Sequence, residues 1–193
     1  MRRKTFDILA SLGGIVVVVA LVIAGALATW GYSFASDNVH SQLAQQQITF
    51  PAKGSPALAS KEIGPYLDQY AGQQLTTGPQ AKAYADHFIA VHLSEMPYNG
   101  VFAKASAAAQ ADPTNTKLKA EVQTIFQGTT LRGLLLEAYA FSVFASIALW
   151  ASVASFSLAF LMLLLVGFGF WHARRVPADA EILTHSAPQP ATV

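Results

Sequence analysis

Two stretches almost without charge, one towards each end of the chain, constrain this sequence more than anything else in it. Residues 8–30 contain no Asp, Glu, Lys or Arg, and residues 133–171 contain a single one, Glu137. About 20 apolar residues in a helix match the roughly 30 Å hydrocarbon core of a bilayer. Over its 193 residues the chain is 12% charged and 53% hydrophobic, against about 25% charged in an ordinary soluble domain. The missing charge is missing from these two stretches. Net charge is +1, so nothing electrostatic argues for a nucleic-acid partner. Cysteine is absent, which removes disulfides, thiolate metal sites and cysteine nucleophiles together. A domain outside the cytoplasm must then be held by packing alone, which is ordinary in bacteria.

Charges at the ends of the apolar stretches set a direction. Arg2, Arg3 and Lys4 precede the first, and Arg174 and Arg175 follow the second. Basic residues beside a span favour the cytoplasm, and aromatic rings favour the headgroup level, where Trp30 and Tyr32 fall. Both termini are therefore expected inside, and the number of crossings should be even. A cleaved signal peptide is the alternative for the first stretch, with Ala26-Leu27-Ala28 as a small-x-small cleavage pattern. Its apolar region would be about 7–15 residues, shorter than this run.

The second stretch would be about 60 Å long as a helix, too long for one crossing. Residues 135–165 contain no Gly or Pro to make a hairpin turn within it. Trp150 and Trp171 stand 21 positions apart, about 31 Å along a helix, so the crossing is expected between them. Residues 133–149 should project outside and carry Glu137 clear of lipid. The expected fold is all-α: a two-helix transmembrane hairpin with a small helical extracytoplasmic domain. Its boundaries are 1–7 inside, 8–31 first span, 32–148 outside, 149–172 second span and 173–193 a disordered cytoplasmic tail.

Helices associate in lipid through small residues. Ala20, Ala24 and Ala28 recur every four residues in one span, and Ala151, Ser155 and Ala159 in the other. In an antiparallel pair with Trp30 and Trp150 both at the outer surface, the two sets match in depth. Alanine is also common in such chains, and that alone could give the pattern. Trp30, Trp150, Trp171, Arg174 and Arg175 mark the membrane interfaces. The spans carry few polar groups beyond hydroxyls, which argues against a channel or transporter pathway.

Between the spans the punctuation is helical. Residues 35–47 should continue the first helix, and 48–56 read as an extended turn region. Gly64-Pro65 and Gly78-Pro79 should open helices over 65–74 and 78–96, the second with Ala81, Tyr84, Ala85, Phe88, Val91 and His92 on one face. Further helices are expected over 101–111 and 117–126. The last of these should be capped by Thr114 or Asn115 and turn Leu118, Val122, Ile125 and Phe126 inward.

Chemistry is sparse. Asp86, His87, His92 and Glu95 form a local polar cluster, but histidines five apart are about 140° apart around a helix and do not share a face. No nucleophile elbow, phosphate loop, zinc-helix motif or dinucleotide fingerprint occurs. No catalytic residue, cofactor or metal ligand is therefore assigned. Tyr66 and Tyr70, one turn apart, are a candidate partner surface, with packing into the outer domain as the plainer reading.

Arg2-Arg3-Lys4-Thr5-Phe6-Asp7, residues 62–93, 130–141 and 169–175 resemble a group of uncharacterised actinobacterial two-span membrane proteins, over nearly the whole chain. Some members of that group carry the name aromatic ring-opening dioxygenase, which would imply a non-haem iron. The sequence offers no ligand set for one. The resemblance implies the two-span topology and a bacterial origin. The expected function is a non-enzymatic accessory or scaffold subunit of a cell-envelope or respiratory membrane complex, with the lipid bilayer and a protein partner or second copy as its neighbours. An extracytoplasmic ligand-binding or sensor module is the alternative, and a metal-dependent enzyme comes third.

Overall fold

The computed structural model describes residues 2–177 and residue 180. The expected disordered tail, 173–193, falls largely outside the described residues. Among those described the chain is helical and forms no strand. Two helices are long and apolar enough to cross a membrane: α1, Arg3–Gln45, of 43 residues, and α6, Thr116–Arg175, of 60 residues. Four short helices lie between them, α2 (Gly64–Leu67), α3 (Gly78–Ala83), α4 (Ala90–Ser94) and α5 (Phe102–Ala111). The chain divides into two compact units, one from residues 2–30 and 148–177, the other Gly31–Ile147.

The first unit consists of the N-terminal part of α1 and the C-terminal part of α6. Along α1 the less exposed positions are Ser11, Gly14, Val18, Leu21, Gly25 and Ala28. Along α6 they are Ser152, Ser155, Ala159, Met162, Val166, Gly169 and Ala173. Both sets step by three and four alternately, a 3.5-residue period that keeps a contact line facing its partner over many turns. Contacts follow these positions with chain directions opposed. Asp7 meets His172, Gly14 meets Val166, Gly25 meets Phe156, and Thr29 meets Ser152. Glycine is required at the tightest points. A Cβ on Gly14 would lie 2.5 Å from Val166 Cγ2, one on Gly25 3.0 Å from the Phe156 ring, and one on Gly169 would collide with Ser11 Oγ.

The second unit is built on the other halves of the same helices. Val39 and Leu43 of α1 and Leu135 of α6 pack with Ala81, Ala85 and Ile89, and with Phe50, Leu58, Ile63, Leu67 and Leu75 from the connection between α1 and α3. Phe50 anchors this core, with its ring 5.3 Å from Tyr70 and 5.4 Å edge-on from Tyr84. The connection is tied by two backbone hydrogen bonds, Phe50 N to Gln73 O and Leu75 N to Ile48 O. Helix α3 starts with a capping box: Thr77 Oγ1 accepts from Gln80 N, and Gln80 Oε1 accepts from Thr77 N.

Several elements differ from expectation. The segment expected as helix over 65–74 is α2 followed by a 3-10 turn, Asp68–Tyr70. Gly72, at φ +72°, ends it. The helix expected over 78–96 is interrupted by a π turn, Tyr84–Ile89, and ends at Ser94. In that wide turn Ala85 O accepts from Ala90 N and also from Arg132 Nε at 3.2 Å. Tertiary contact thus stabilises a ladder that local propensity would not choose. The segments expected as separate helices beyond Asn115 are one helix, α6, which Asn115 caps by accepting from Leu118 N at 2.9 Å. Phe126, expected inward, is 48% exposed. Ile125 takes the buried line of α6, and its neighbour is about 100° away around the helix.

Candidate functional site

The most organised polar group lies where the π turn meets α6 in the second unit. Asp86 Oδ2 is 2.5 Å from Lys82 Nζ, one turn earlier, and Asp86 Oδ1 is 2.9 Å from Arg132 Nη2. The hydrogen bond from Lys82 and then that from Arg132 hold the Asp86 carboxyl below the usual carboxylate range, against the opposing effect of burial. The same bond to Asp86 raises Lys82. Arg132 is further fixed by its bond to Ala85 O. Every charge has a partner, so the group locks the π turn to α6 and leaves no acid or base poised for proton transfer.

The neighbouring aromatics are placed around the same turn. His87 stacks flat on Tyr66, ring centroids 3.6 Å apart. Tyr84 stacks on Phe88 at 4.7 Å, and Phe88 packs against His92 at 4.5 Å. His92 Nδ1 lies 2.7 Å from Phe88 O. Burial raises the Tyr84 phenol. Tyr84, Phe88, His92, Leu93, Met96 and Gly128 are among the residues lining an apolar cavity of about 200 Å³. A second cleft, of about 300 Å³, lies between Asn38 and Gln42 of α1 and Leu134, Glu137 and Phe141 of α6. Asn38 Oδ1 there accepts from Gln42 Nε2.

The polar cluster read from the sequence is thus split up. Asp86 is engaged by two cations, His87 faces Tyr66, and His92 faces Phe88. Among the described residues no three of His, Cys, Asp or Glu converge as metal ligands. The iron implied by the ring-opening dioxygenase name does not fit this donor set. Its commonest carrier is a facial triad of two histidines and a carboxylate. Here Asp86 is already paired with Lys82 and Arg132, and Glu95 joins no group of three possible ligands among the described residues.

Tyr66 and Tyr70 do not form one surface. Tyr66 is 47% exposed, whereas Tyr70 is half-buried against Phe50. Of the six small residues expected between the spans, Ala159 is buried and Ala28 and Ser155 are half-buried, while Ala20, Ala24 and Ala151 are exposed. A strict four-residue row drifts about 40° per step around a 3.6-residue helix. A long contact line therefore leaves that row and alternates three and four, passing through Gly25, Leu21 and Val18 instead. Trp30, Trp150 and Trp171 are outward-facing. Arg175 lies over the Trp171 ring at 4.3 Å, and Arg174 is exposed. Sequence reasoning passed over Arg132, Gly14, Gly25 and Gly169. Arg132 carried a signal, as a cation at the edge of an apolar run.

No family model, no curated protein and no solved structure matches the chain.

Proposed function

We propose that this chain is a bilayer-spanning protein. Its two long helices would form an antiparallel transmembrane hairpin, with both termini cytoplasmic and the Gly31–Ile147 unit outside. One observation carries the reading: in each long helix only 11% of the most apolar window is buried. A core helix of a soluble protein would bury most of that surface. Here Val16, Leu27, Phe160 and Leu165 point outward, and a bilayer is the environment in which such a face costs nothing. Seen this way, the chain also fits the actinobacterial two-span group that its sequence resembles.

Its role is that of a non-enzymatic accessory or scaffold subunit of a membrane complex. Tyr98, Val101, Phe102 and Phe126 are all exposed on the second unit. Phe102 and Phe126 pack on each other at 5.5 Å. Aromatic residues are enriched in the cores of protein contacts, which makes this group the candidate contact surface. The test is the particle mass of the full chain in mild detergent. A scaffold subunit runs well above the 20.5 kDa chain plus its micelle, and Phe102→Ser with Phe126→Ser lowers that mass. A strictly monomeric particle for both proteins removes the scaffold reading.

A second reading, an extracytoplasmic ligand-binding module, draws on the apolar cavity beside Tyr84, Phe88 and His92. A panel of small aromatic ligands that raises the melting temperature of the native chain but not of Gly128→Leu supports it, and no shift with any of them ends it.

A further inference from the structure

The first unit contains a groove that the seam between its helices does not close. It has a volume of about 210 Å³, and its lining includes Asp7, Ser11 and Gly14 of α1 and Met162, Val166 and Gly169 of α6. Its walls are apolar apart from Asp7 and Ser11. Asp7 and Gly14 are seven positions apart, so it extends for about 10 Å along the helices. The two missing side chains at Gly14 and Gly169 bring the helices into close contact there, and Ala10 leaves the flank open.

Charge is gathered at one end only. Asp7 Oδ2 is 3.0 Å from His172 Nδ1, which brings the starts and ends of the two helices together. Arg3 and Lys4 lie within one turn of Asp7, and Arg174 and Arg175 within one turn of His172. Arg2 adds a fifth cation, its carbonyl accepting from Thr5 N and Phe6 N at the helix start. Among the described residues of this end, five cations face one carboxylate, and that carboxylate is occupied by His172. At this end of α6 the Arg175 guanidinium lies over the Trp171 ring, 4.3 Å from its centroid. Donor-rich cations at the same end of the helices as an apolar groove complement a molecule with a phosphate head and a hydrocarbon tail.

We propose that this groove is a binding site for an anionic phospholipid of the cytoplasmic leaflet. One acyl chain lies along Gly14, Met162 and Val166, and the phosphate is held by the Arg174–Arg175 and Arg2–Arg3 side chains. The proposal rests on the bilayer-spanning reading above. Asp7, the one carboxylate in the groove lining, is engaged by His172 at 3.0 Å.

The test uses the full chain purified in mild detergent, incubated with phosphatidylglycerol, phosphatidylcholine or inorganic phosphate, with bound lipid counted by native mass spectrometry. Phosphatidylglycerol should be retained at least about tenfold over phosphatidylcholine, in keeping with several basic side chains near one headgroup. Inorganic phosphate should not displace it. Ala10→Phe, which fills the open flank without entering the helix contact, should abolish retention of phosphatidylglycerol. Arg174→Gln with Arg175→Gln should bring it down to the phosphatidylcholine level. Equal retention of the two lipids, undiminished retention by Ala10→Phe, or full displacement by phosphate each overturns the site. Carbonate washing of membranes separates the two failures. A chain released by carbonate does not span the bilayer at all, whereas a chain that stays in the pellet but shows no lipid preference loses only the groove.

Discussion

Asp86 shows how one side chain carries local structure. It sits in the π turn, is paired with Lys82 and Arg132, and is held below the usual carboxylate range. A depressed carboxylate pKa contributes stability above its unfolded value, near 3.9, and loses that contribution as pH falls through the folded value. Asp86→Asn should therefore lower stability at pH 7 by about 1 kcal/mol or less, because both ion pairs are partly solvated. The same substitution should change little at pH 2, so the two melting curves, followed by circular dichroism, should converge in acid. A constant difference across that range would mean that packing, not charge, is lost. Gly100 is a second such residue. It has φ +67° and follows Tyr98 and Asn99, which are also left-handed. A Cβ there would collide with the Leu93 carbonyl. Gly100→Ala should cost about 1–3 kcal/mol, read as a lower melting temperature. Gly54, with φ +77° and open space around it, should lose less on the same change.

Among the elements, α1 and α6 matter most, because each serves both units. Their contact line in the first unit carries one polar pair in the apolar zone. Thr29 Oγ1 donates to Gly25 O at 2.8 Å and lies 2.7 Å from Ser152 Oγ, so the Ser152 hydroxyl is the donor across the helices. Between transmembrane helices a bond of this kind contributes about 0.6 kcal/mol on average. The chain has no cysteine of its own, which makes the line open to direct measurement. Thr29→Cys with Ser152→Cys should form a disulfide on oxidation, seen as a faster band on a non-reducing gel. Ala24→Cys with Ser155→Cys, a pair that the alanine row would bring level but of which Ala24 is exposed, should stay reduced. The reverse outcome would restore the four-residue alanine row as the contact.

At the scale of the whole chain the question is where the bilayer lies. If the hairpin reading holds, Ala103→Cys on α5 reacts with an impermeant maleimide added to intact cells, and Thr5→Cys reacts only after lysis. Both positions are exposed, so a failure to react reports the membrane and not burial. Labelling of both in intact cells would place the termini outside and overturn the reading from the basic flanks.

Much of the helix content is legible along the sequence, because apolar runs, Gly-Pro starts and turn residues act over a few neighbouring positions. Residues 8–30 and 133–171 point to two long apolar helices, and Pro79 and Asn115 mark helix starts that the fold keeps. Local signals also limited the chemistry: without Cys, and with His87 and His92 five residues apart, no ligand set was in reach. What needed three dimensions was every choice that depends on a distant partner. The π turn at Tyr84–Ile89 exists beside an arginine 47 positions away from the carbonyl it caps. Phe126 and Ile125 are equally apolar, and only the continuous course of α6 decides which is buried. The contact line of the first unit runs through Gly14, Gly25 and Gly169 rather than through the alanine row. Whether a small residue marks an interface depends on how the facing helix is rotated, and that rotation is a property of the pair.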